Sequence, residues 1–183
     1  MIILGIDPGT ATTGWGVVQH KKAGKKQKPD GSLFSLVGFG CITTKPDKDM
    51  PLRLLELKRA LKKVIKSYKP DSLVVERIFF GQNSSSAITV GQARGVIMLV
   101  AAEENLRLFE YTGLEVKSTI SAYGRATKKQ VQIGVRRILK VRSLPKPKDQ
   151  SGKPVWQFRD DAYDAAAAAI HHIISIGNKS SRL

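Results

Sequence analysis

Two short stretches of this chain are apolar from end to end, and each stops at an acid. Residues 2–6 (Ile-Ile-Leu-Gly-Ile) run into Asp7, and residues 73–75 (Leu-Val-Val) run into Glu76. A strand with one face in water alternates apolar and polar side chains, whereas an unbroken apolar strand must be covered on both faces. That demand restricts the chain to a sheet interior sandwiched between helical layers. It also sets two carboxylates at the ends of interior strands, where open α/β sheets hold their ligands.

The remaining segments supply the layers. A turn at Pro8-Gly9-Thr10 leads to a second strand over residues 14–18, and a third runs over 33–42. Leu54, Leu57, Leu61, Val64, Ile65 and Tyr68 fall at helical spacing, with Pro51 suited to a first turn and Pro70 to a stop. The pattern then predicts a helix over 84–104 and a strand over 106–111. Residues 113–142 read as two helical pieces broken near Gly124, residues 143–159 as a loop, and 161–176 as a last, Ala-rich helix. Three strands followed by alternating helix and strand give an α/β fold: a mixed sheet flanked by helices, as one domain over residues 1–183.

Asp161 and Asp164 stand three apart and share one face of that last helix. Each acid has an ordinary reading. Asp7 before Pro-Gly can start a turn, Glu76 can be salt-bridged, and the helical pair can cap a first turn, a task Asp160 could also perform. Brought together, the four form a carboxylate cage of the kind a hard divalent cation needs. His171 and His172 follow two turns later and are expected at the helix end rather than on a metal.

Charge gives the cage its context. The chain carries a formal +16, from 31 Lys and Arg against 15 Asp and Glu. Ten Lys or Arg and no acid fall between residues 117 and 148, which reads as a phosphate track, and residues 21–28 hold a further basic cluster. Acids gathered in a basic protein point to a metal-dependent nuclease. The single Cys41 excludes an internal disulfide framework and fits a reducing cytoplasm, and three His with one Cys make a zinc site a poor fit. The longest apolar run, residues 96–102, is far short of the ~20 residues a membrane span requires, so no membrane partner is expected.

Four segments taken in order resemble the RuvC family of Holliday-junction resolvases. They are residues 3–10 (Ile-Leu-Gly-Ile-Asp-Pro-Gly-Thr) with Gly14-Trp15-Gly16, the Glu76-Arg77-Ile78-Phe79 block, Gly91-Gln92-Ala93-Arg94-Gly95, and Asp161-Ala162-Tyr163-Asp164-Ala165. The resemblance implies an RNase H-like fold and a homodimer that nicks two like-polarity strands of a four-way DNA junction, in recombination and repair. It implies two Mg²⁺ per active site, replaceable by Mn²⁺, held by Asp7, Glu76, Asp161 and Asp164. It further implies base stacking by Phe79, DNA contacts by Lys117 and Lys128, and a helix carrying Arg94 that serves dimerisation and DNA. The RuvA–RuvB branch-migration motor is the implied protein partner. Two departures stand out: the excursion at residues 21–31 and the extended 143–159 loop are longer than the family's usual connections. Actin-like ATPases share the Asp-x-Gly-Thr start, but they need two lobes where this chain offers one. A junction binder without catalysis is disfavoured by the presence of all four acids. Another RNase H-like nuclease, acting on other branched DNA or on RNA, is the third alternative.

Overall fold

The computed structural model describes residues 1–21, 33–77 and 84–180. Phe79 and all of the 21–31 excursion beyond Lys21 lie outside those residues. At the centre of a five-stranded sheet is β1 (Ile2–Asp7), in the order β3-β2-β1-β4-β5. β2 (Thr12–His20) and β3 (Phe34–Thr43) continue from it antiparallel. β4 (Ser72–Arg77) and β5 (Arg107–Thr112) lie on its other side, parallel to it. The mixed sheet expected from the segment order is therefore present.

The apolar runs behave as their composition requires. Leu4, Ile6, Leu73 and Val75 face a layer made of α1 (Met50–Tyr68) and α2 (Ser84–Glu103). Ile3 and Val74 face the opposite layer, made of α3 (Gly113–Ser121), α4 (Lys128–Leu139) and α5 (Arg159–Ser180). All six side chains are fully buried, and each contributes roughly 1.5–3 kcal/mol by leaving water. Capping boxes, Thr112 with Glu115 and Thr127 with Gln130, start α3 and α4, and the break between them is made at Ala122, in the left-handed region at φ 58°.

The helix α5 lies directly on β1 and β2, and the sequence allows this through small residues on both sides. A Cβ on Gly14 would run into the carbonyl of Asp161, and one on Gly16 would sit 2.8 Å from Cα of Ala166. The close approach that these glycines permit is thus to the helix backbone. The helix is longer at both ends than the sequence predicts. Gly177 does not stop it, because Ile170 and Ile173 keep its inner face packed and an isolated glycine costs only about 1 kcal/mol. His171 and His172 are accordingly not helix-end residues. Both are buried inside the helix, His171 against Thr119 Oγ1 at 2.7 Å and His172 against Tyr111 Oη at 2.9 Å.

The long connection after α4 crosses β3, the outermost strand. The carbonyl of Lys148 accepts from the Cys41 amide at 3.0 Å. The Gln150 carboxamide donates to the Thr43 carbonyl at 2.6 Å and accepts from the Thr43 amide at 2.9 Å. A single 3₁₀ turn, Trp156–Phe158, then delivers the chain into α5.

Candidate active site

Parallel pairing of β1 with β4 sets Ile6 opposite Val75, so Asp7 and Glu76 leave the sheet side by side. The first turns of α5 come across β1 and β2 above them. Asp7, Glu76 and Asp164 line one cleft of about 560 Å³, together with Arg77, Gly113 and Lys117. Asp161 is one turn back on the same helix, half-buried and close enough to Asp7 to act on its charge.

All four carboxyls are displaced in the same direction. Asp7 is raised well above the usual carboxylate range by burial, and then by repulsion from Asp164, Glu76 and Asp161. Burial raises Glu76, with Lys117 opposing it, and burial raises Asp161, with Lys128 opposing it. Asp164 is pushed up to about 6 by burial and then by Glu76, against the pull of Lys128 and Lys117. Four acids are thus held in one place with two lysines to balance them. Like charges at such a site favour protonation unless a cation intervenes. An all-oxygen donor set suits Mg²⁺ or Mn²⁺ better than zinc, which prefers nitrogen and sulfur, so the chemistry of the donors fits the ion that the sequence implies. Among the described residues no group of three or more His, Cys, Asp or Glu is spaced to hold a metal ion as the side chains stand.

Asp160, the alternative to Asp161, is engaged elsewhere. It accepts from Gln132 Nε2 at 2.7 Å and lies 3.6 Å from Lys128 Nζ, both on α4. Of the two, it is Asp161 whose charge acts on Asp7. Lys117, on α3, and Lys128, at the start of α4, approach the acids from the same layer. Arg94 is not brought to them. Its guanidinium forms an ion pair with Glu110 on β5, so it is turned toward the sheet rather than into the cleft. Cys41 is buried, and burial pushes its thiol up to about 12, which leaves it inert.

Two residues that the sequence reading did not single out belong to this cleft. Arg77 shares its wall with Glu76. Gly113 opens α3, and a Cβ there would sit 2.5 Å from Glu76 Oε1, so any other residue would make the carboxylate shift from its present position. A signal was available, since Thr112-Gly113-Leu114-Glu115 is a capping box placed directly after a strand.

Comparison with known proteins bears on the whole chain. Residues 3–155 match the family model described as "Crossover junction endodeoxyribonuclease RuvC", which takes in Asp7 and Glu76 and ends before Asp161. A crossover junction endodeoxyribonuclease RuvC of Rubrobacter xylanophilus is 45% identical over 174 residues, covering 95% of this chain and 86% of that protein. Its counterpart from Caldicellulosiruptor saccharolyticus is 41% identical over 175 residues, covering 96% and 93%. Among solved structures, Thermus thermophilus RuvC in complex with a Holliday junction substrate matches with a TM-score of 0.77 at 26% identity, over 96% of this chain and 94% of that one.

Proposed function

The chain belongs to the RuvC family of crossover junction endodeoxyribonucleases, and from that membership we propose that it resolves four-way DNA junctions by paired nicks made at the acidic cleft. One observation carries the assignment to this cleft: Asp7 and Glu76 end neighbouring parallel strands beneath the acidic start of α5, and all their carboxyls are raised. Asp7, Glu76, Asp161 and Asp164 would hold two divalent cations, which when bound supply Lewis-acid activation of water and neutralise charge on the leaving 3′ oxygen. Lys117 and Lys128 bind the scissile strand through phosphate oxygens and offset the negative charge that grows there in the transition state. Gly113 keeps the space in which Glu76 turns toward the cleft. Phe79 stacks on a base beside the cut strand.

Two matched cuts require two copies. The outer face of α2 supports a homodimer: Ile88, Gln92, Gly95, Leu99 and Ala102 recur at intervals of three and four and are all exposed, Ile88 by 65% and Leu99 by 52%. Gly95 has open space where a side chain would be, so a second backbone can approach closely. The junction, and with it the RuvA–RuvB motor, would be met in the cytoplasm. Among the described residues no helix is long and apolar enough to cross a membrane.

The test compares wild type with Asp7→Asn on a four-way junction and on linear duplex of the same sequence. Wild type should cut only the junction, and only with Mg²⁺ or Mn²⁺, while Asp7→Asn binds the junction and leaves it whole. Equal cutting of linear duplex would overturn the junction assignment, and undiminished cutting in EDTA would overturn the metal one.

A further inference from the structure

Beyond the acidic cleft, a groove of about 540 Å³ lies between α4 and the turn that precedes α5, lined by Lys128, Lys129, Gln132, Arg136, Trp156 and Arg159. Its charge is almost wholly of one sign. Among the described residues the one acid in its wall is Asp160, already engaged by Gln132 and Lys128. At its rim the ring of Trp156 is 48% exposed. Two cations flank that ring, Lys146 Nζ at 5.2 Å from its centroid and the Arg159 guanidinium carbon at 5.8 Å. Both distances are those of cation–π attraction. Arg136 is held by the carbonyls of Gln132 and Arg142, at 3.3 and 3.1 Å, so its guanidinium is also fixed. The groove begins where the acids end, because Lys128 lines it and also pulls on Asp7, Asp161 and Asp164.

We propose that this groove is a second DNA-contact site, gripping the phosphates of a junction arm leading away from the cut, with Trp156 as the post that holds Lys146 and Arg159 in place. The proposal rests on the junction-resolving reading for the identity of the arm, and on the groove alone for its affinity for duplex. Phosphates are favoured over an unpaired base because cations already stand over the ring, and because fixed cations beside a single, engaged acid match a regular polyanion.

The experiment measures binding of the full-length chain to junctions with arms of two helical turns and to junctions with arms cropped to half a turn. Wild type is compared with the double variant Lys129→Gln/Arg159→Gln, with Trp156→Leu and with Trp156→Phe. The double variant should lose about tenfold or more in affinity on long arms, with the salt slope reduced by about 2, and change little on cropped arms. Trp156→Leu should show a smaller loss with the same salt signature, and Trp156→Phe should recover it. Equal loss on both substrates, or no loss on long arms, overturns the site. A Trp156→Leu loss with an unchanged salt slope, accompanied by quenching of wild-type tryptophan fluorescence on binding, makes the ring a base-stacking platform and overturns its role as a post. Should wild type cut neither junction, the junction reading fails separately. The groove is then judged on linear duplex, where the double variant must still bind more weakly with a reduced salt slope.

Discussion

Asp164 shows what the cleft demands of single residues. Its carboxyl is displaced from an ordinary 3.8 to about 6, which sets an upper bound of about 3 kcal/mol on its cost to the metal-free fold at high pH, and solvent in the open cleft lowers this to about 1–2 kcal/mol. The sign follows from proton linkage. The folded form holds this proton more tightly than the unfolded one, so the cost is full above pH 6 and disappears as pH falls toward 3.8. Asp164→Asn should therefore raise the melting temperature in EDTA at pH 8, by a margin that shrinks as the pH is lowered to 4, while cleavage is lost. A variant no more stable than wild type at pH 8 would contradict this. Gly113→Ala tests the space around Glu76. The new methyl meets a carboxylate oxygen and nothing else within 3.4 Å, so melting should move by less than about 1 kcal/mol. Cleavage should fall at least tenfold, and more Mg²⁺ should be needed to reach half-maximal rate; normal cleavage would remove Gly113 from the site.

At the scale of elements, the order of strands and helices was legible because period and punctuation agreed along most of the chain. Asp7 and Glu76 stand out in the sequence for one reason: an acid ending an apolar run is expensive unless it has a task. The start of α5 was harder to read. Residues 159–164 contain three acids within one and a half turns, and only the packing of Asp161's carbonyl on Gly14, with Asp160 turned to α4, separates them. The pairing of Arg94 with Glu110 was hidden for a related reason, since Glu110 lies on a strand sixteen residues away and no local pattern announces the pair. His171 and His172 carry a testable consequence of lying inside the helix. Burial holds both below the ordinary histidine range, so the folded form keeps them neutral while the unfolded chain protonates below about pH 6.5. They contribute stability above that pH and lose it as the pH falls, and His172→Gln should flatten the drop in melting temperature between pH 7.5 and 5.5 in the presence of Mg²⁺. A profile as steep as wild type would place the loss elsewhere. On α2, a charge should break the outer face: Leu99→Glu should sediment as a monomer that binds junctions without cutting them in pairs, and a dimeric Leu99→Glu protein would show that α2 is not the interface.

For the whole molecule, the dominant fact is a surplus of positive charge surrounding a small acidic cleft. Contacts to phosphate dominate affinity for any DNA, and 6–10 of them cost about 10³–10⁵ in affinity between 50 and 200 mM salt. Junction and linear duplex should therefore weaken together over that range in gel-shift titrations, with their ratio changing far less than either constant; a junction affinity indifferent to salt would contradict a phosphate-led grip. The clasp between Gln150 and Thr43 has a consequence of a different kind. Without it, Thr43 would add its free amide and carbonyl to the edge of β3, lengthening the stretch on which a second chain could add a strand. A proteolytic nick near Ser151 and Gly152, where the loop is exposed, would release that clasp while leaving the cleft intact. The nicked protein should keep its activity when fresh and lose it on storage, by aggregation rather than by any damage to its chemistry.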